Sequence, residues 1–139
     1  MRAALVGLAL LASVGAAQAS AHYQCGDANG EIALRFDYLY SAAEPFSHIE
    51  MQLTDDFGIA TDPAHPDHSG EFVSAHYRSE DFIGAELRVR EADGTVGALP
   101  VMQIRLVTVS EGANALITGG VSVGGGGIWT VTCTGELRD

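Results

Sequence analysis

The sequence predicts an all-β fold, a small antiparallel β-sandwich or closed β-barrel of about eight strands whose N- and C-terminal strands are joined by a disulfide. Three observations carry that prediction. Runs of alternating apolar and polar residues recur along the chain, separated at close spacing by turn residues. No stretch beyond residues 1–19 keeps a 3.6-residue period. The two cysteines, Cys25 and Cys133, fall in the first and last of the alternating runs.

The chain opens with one positive charge at Arg2, an apolar run from Ala3 to Ala12, and small residues at Ala17-Gln18-Ala19. That is the layout of a secretory signal peptide over residues 1–19, cleaved before Ser20. Ala19-Ser20-Ala21 offers a second frame, with cleavage before His22. The apolar run is shorter than the roughly 20 residues that a bilayer span needs. Residues 20–139 are left as one β-domain with one core. No later segment is long and apolar enough to span a membrane, so the expected location is periplasmic or secreted.

The first strand runs from Ala21 to Cys25, followed by a turn at Gly26–Gly30. Glu31 to Tyr40 alternates with Ile32, Leu34, Phe36, Tyr38 and Tyr40 on one face. Ser47 to Asp55 alternates again, with Ile49, Met51 and Leu53 inward and His48, Glu50, Gln52 and Thr54 outward. Asp56 to Gly70 has no periodicity and reads as a long loop, its start pinned to the core by Phe57 and Ile59. Glu71 to Arg78 is a strand of mixed signal, with Val73, Ala75 and Tyr77 on one side.

Ser79-Glu80-Asp81 is a turn, and Ala85 to Glu91 a strand with Leu87 and Val89 inward. Asp93-Gly94 marks a hairpin whose return begins at Thr95 to Ala98. Pro100 then suggests an edge or a bulge. Val101 to Ser110 is the most β-branched run, with Met102, Ile104 and Leu106 on one face. Glu111 to Asn114 is a turn, and Ala115 to Val123 a Gly-interrupted strand. The Gly124–Gly127 run is a flexible hairpin connection into the last strand, where Trp129, Val131 and Cys133 share a face.

Charge narrows the partners. The chain has 7 Lys+Arg against 18 Asp+Glu, a formal net charge of −11, and all seven cations are Arg. Such a surface repels phosphate backbones and anionic membranes, so nucleic acid is not an expected partner. Basic proteins, cationic ligands and divalent metals remain open. With no Lys, there is no Walker-type phosphate loop, no Schiff base and no catalytic Lys. Two Cys in an exported chain read as a disulfide, which removes a Cys nucleophile.

Candidate chemistry lies in the loop from Asp55 to His68. Asp62, His65, Asp67 and His68, with His76 nearby, are residue types that bind Zn²⁺ or Cu²⁺, or Ca²⁺ through the carboxylates alone. The Asp spacing and closing residue do not fit an EF-hand. Ser-His-Asp sets such as Ser69, His68 and Asp67 lack a nucleophile-elbow motif. Tyr38, Tyr40 and Tyr77 are candidates for a binding surface, because aromatic residues on a sheet serve as contact anchors.

Tyr23-Gln24-Cys25, together with Cys133, resembles the opening and the C-terminal bridge of the periplasmic C-type lysozyme inhibitors. Ser69-Gly70-Glu71-Phe72 is similar to their Ser-Gly-x-x-Tyr loop, with the aromatic displaced. The resemblance implies a small exported barrel acting as an inhibitor-like module. The expected function is a non-enzymatic binding module with a protein partner in the cell envelope, the alternative being a divalent-metal binder using the Asp/His loop. No organic cofactor is expected.

Overall fold

A computed structural model describes residues 20–111 and 114–138. The predicted leader, residues 1–19, and the turn residues Gly112 and Ala113 lie outside the described residues. The strands are β1 (Ser20–Gly26), β2 (Ile32–Leu39), β3 (Phe46–Leu53), β4 (Gly58–Ala60), β5 (Glu71–Arg78), β6 (Phe82–Val89), β7 (Met102–Glu111), β8 (Asn114–Val123) and β9 (Gly127–Arg138). They form one sheet in the order β4-β3-β2-β1-β9-β8-β7-β6-β5, with every ladder antiparallel. Of the two architectures the sequence allowed, the molecule takes the barrel. It is one sheet curled nearly closed, not two sheets face to face.

Strand sense alternates along this order, so β3 and β5 run in opposite directions. That is what antiparallel closure of the eight strands from β3 round to β5 requires. Phe46 and Val73 share the wall of one groove, so β3 and β5 face each other across a seam. No ladder bridges that seam among the described residues. β4 covers only the Glu50–Gln52 part of β3. Among the described residues, no helix is long and apolar enough to cross a membrane.

The alternating runs bury as a period of two demands. Ile32, Leu34, Phe36 and Tyr38 are buried, as are Ile49, Met51 and Leu53, and Met102, Ile104 and Leu106. Full burial of each such side chain contributes about 1.5–3 kcal/mol. Toward one end the core turns aromatic. Tyr23 stacks on Phe36 at 5.1 Å between centroids, and Phe46 and Tyr40 each meet Tyr38 edge-on at 5.0 Å.

Two bulges break the alternation, and both flank the seam. On β3, Glu50 pairs with Arg35 but Ser47 pairs with Asp37, so one extra residue stands opposite Phe36. His48 absorbs the kink with φ 48°. Both Ser47 and His48 then point outward, and Phe46 is buried at 6% exposure. On β5, Val73 opposes Leu87 but Ala75 opposes Glu86. Beyond this second bulge His76 and Arg78 stand opposite the inward-facing Ala85 and Ile83, and Tyr77 opposite Gly84. The predicted shared face of Val73, Ala75 and Tyr77 is thereby broken.

Three further expectations are corrected. Gly58–Ala60, within the predicted loop, is a strand pairing with β3. Ile59 is buried there, but Phe57 is 46% exposed and pins nothing. The return at Thr95–Ala98 is a single bridge, Arg90 to Val96. The Asp93-Gly94 turn itself is present, with Gly94 at φ 87° and its N–H bonded to the Glu91 carbonyl.

The disulfide is present. Cys25 and Cys133 are directly opposed across the β1–β9 ladder, with Cα atoms 4.0 Å apart. It joins the two ends of the meander, 108 residues apart in sequence. Replacing both cysteines by Ala should lower unfolding free energy by about 4–5 kcal/mol on the chain-entropy account. Denaturant titration of the variant against the parent checks this. A loss under about 1 kcal/mol would mean that the ladder holds the ends without the bond.

Candidate functional site

One end of the barrel gathers the start of β1, the end of β2, the end of β5 and the start of β6. A cavity of about 480 Å³ opens there. Tyr23, Tyr38 and Tyr40 make one wall, and Phe82 and Ile83 supply apolar surface opposite. Arg78 and Glu80, both exposed, stand on the rim. The size falls within the range of small-molecule sites.

Each wall residue has a structural cause. Tyr23 faces inward two residues from Cys25 and lies opposite Gly135 on β9. Gly135 is needed there, because a Cβ on it would come within 2.6 Å of the Tyr23 ring. Tyr23 can lie across β9 only because that position has no side chain. Tyr38 belongs to the inward set of β2, and Tyr40 follows just past the strand end. Arg78 reaches the same end through the β5 bulge, and its Nη1 donates to the Tyr40 carbonyl oxygen.

The hydrogen bonding at the wall is incomplete. Tyr23 and Tyr40 hydroxyls bond to each other. Tyr38 is 1% exposed, and its hydroxyl has no partner, alone among buried side-chain polar atoms of the described residues. Leaving such a group unsatisfied costs about 1–3 kcal/mol. Burial holds the Tyr23 hydroxyl well above the ordinary tyrosine range, reinforced by the bond to Tyr40. Burial also raises the Tyr38 hydroxyl, partly offset by the Arg78 charge. Both are neutral O–H groups near neutral pH.

The other predicted residues are placed differently. Tyr77 is 53% exposed and belongs to a separate groove on the outer wall with Phe82, Glu86 and Arg105. The binding set Tyr38, Tyr40 and Tyr77 therefore divides, and Tyr23 and Arg78 join the first two. Of the Asp/His set, His65 accepts the Asp67 N–H at Nδ1 (3.1 Å), and its Nε2 is 3.4 Å from Glu50. His68 Nδ1 donates to the Ala60 carbonyl at 2.7 Å and lies 3.6 Å from the buried Glu71. Asp62 accepts the Ala64 N–H at 2.9 Å.

These bonds lace the loop to itself and to the β3–β4 edge. His76 stands apart, on the seam beside Phe46 and Glu44. Among the described residues, no group of three or more His, Cys, Asp or Glu is arranged to hold a metal ion.

Sequence reasoning missed a cluster on the outer face. Asp37 lies between His22 Nδ1 at 2.7 Å and His48 Nδ1 at 3.2 Å. His48 keeps this contact although the bulge makes Ser47 the ladder partner of Asp37, and no local spacing announces the cluster. Arg78 is equally hidden, since it reaches the mouth only through a bulge.

No family model matches the chain, and neither does any curated protein or solved structure.

The tyrosine wall has a pH consequence. Folded Tyr23 and Tyr38 keep protons that the unfolded chain releases near pH 10, so the folded state binds more protons above that pH. Stability from these groups is whole below about pH 10 and falls as pH rises past it. Absorbance titration should show a late tyrosinate phase in the folded protein that Tyr23→Phe and Tyr38→Phe each diminish. A single phase at the ordinary tyrosine position would contradict the buried wall.

Proposed function

We propose that this chain is an exported, non-enzymatic binding domain that takes its ligand at the tyrosine-lined mouth of the barrel. The observation that carries the reading is the Tyr38 hydroxyl, buried in the cavity wall without a partner. Buried polar groups are nearly always satisfied, and an exception at a cavity is a mark of a binding position. The buried Tyr23 and Tyr38 hydroxyls of the wall are neutral, and the cation on the rim is an Arg. These groups do not exchange protons near neutral pH, which supports binding over acid–base chemistry.

Export rests on the leader pattern and is supported by the disulfide. Ala21 is buried and pairs with both Tyr38 and Leu137. Cleavage before Ser20 keeps those pairs, and cleavage before His22 removes them. The intact mass of the exported chain should therefore correspond to a start at Ser20.

A chemically mixed fragment set, followed by amide and ring resonances, tests the site. Binders should move Tyr23, Tyr38 and Tyr40, be recovered unaltered, and lose affinity when Thr108→Trp fills the cavity. Binders that leave these resonances still and survive Thr108→Trp would place the site elsewhere. Chemical conversion of a mouth binder would overturn the non-enzymatic part.

A further inference from the structure

Several donors at the mouth are left without an acceptor. Tyr23 and Tyr40 contribute two hydroxyl hydrogens, and their mutual bond uses one. The Tyr38 hydrogen is unused. Arg78 sends one guanidinium N–H to the Tyr40 carbonyl, which leaves most of its five donors uncommitted by the protein. Arg78 also forms no ion pair among the described residues. A site with uncommitted donors and one cation is complementary to an anionic oxygen group. The remaining wall combines apolar surface from Phe82, Ile83 and the tyrosine rings with Ser79 and Thr108.

We infer that the mouth recognises a small organic acid, with its carboxylate between Arg78 and the Tyr38 hydroxyl and its apolar body against Phe82 and Ile83. This rests on the mouth being the binding site. The acid must enter against the field of a chain with net charge −11. Added salt screens that repulsion, so uptake of the acid should hold or strengthen as ionic strength rises. A cation drawn to the acidic surface should weaken instead. Among the described residues, Glu80 is the one carboxylate lining the cavity, and it sits exposed on the rim.

The test uses octanoate, octanamide and octylammonium, which share one chain and differ in the head group. Binding to the oxidised domain is followed by calorimetry and by mouth resonances. Octanoate should bind about ten-fold or more tightly than octanamide, since the site's charge and donors lose their partner in the amide. Arg78→Gln should remove most of that preference, and Arg105→Gln on the outer face should not. Tyr38→Phe removes an unpaired buried hydroxyl, so this variant should unfold no earlier than the parent and yet bind octanoate less tightly. A purely structural role for Tyr38 would give the reverse pattern.

Octanamide or octylammonium binding at the mouth as well as octanoate would overturn the acid and leave the mouth as the site. Octanoate affinity unchanged in both Arg78→Gln and Tyr38→Phe would also overturn it. A mouth that responds to none of the three overturns the acid, and with a silent fragment screen it overturns the mouth reading too.

Discussion

The mouth depends on the register between the first and last strands. Cys25 and Tyr23 share the inner face of β1, and their partners on β9 are Cys133 and Gly135. A slip of one residue would turn Tyr23 to the other face, and a slip of two would seat it on a residue with a side chain. The covalent bond forbids either slip. It closes the meander, and it also fixes the tyrosine ring over Gly135, a position of β9 without a side chain. From there the aromatic packing runs through Phe36 and Phe46 to Tyr38 and Tyr40.

The second constraint is the pair of bulges beside the seam. In a regular β3, Phe46 would face outward, and in a regular β5 so would Arg78. Each bulge reverses the face of the strand segment nearest the mouth. One adds an aromatic edge to Tyr38, and the other delivers a cation beside it. The irregularities thus lie where the regular sheet would have left the mouth without its charge.

Much of this architecture is legible in the sequence. The alternation of Ile32, Leu34, Phe36 and Tyr38 needs no structure to be read, and the two cysteines announce the closing pair. Tyr38 and Tyr40 could be singled out as aromatic candidates on the same grounds. What could not be read has a physical reason in each case. Arg78 and Phe46 lie past bulges, which shift the period without leaving a compositional mark. Gly58–Ala60 is too short to show alternation. The meaning of Gly135 exists only across the ladder, opposite Tyr23. In the Asp/His loop, His65 and His68 are close in sequence, and each is bound to a backbone group near itself, a local arrangement that residue type and spacing do not reveal.

The claim that carries most is that the bonded β1–β9 register organises the mouth. Amide hydrogen exchange on the oxidised protein, repeated after reduction, tests it most directly. The account predicts that the amides of Tyr23–Gly26 and Thr132–Gly135 are among the slowest in the oxidised form. Reduction should speed them and the Tyr38 amide more than those of the β6–β7 ladder. If these β1 and β9 amides exchange as freely as the Asp62–His65 loop before reduction, or do not respond to it, the account is contradicted.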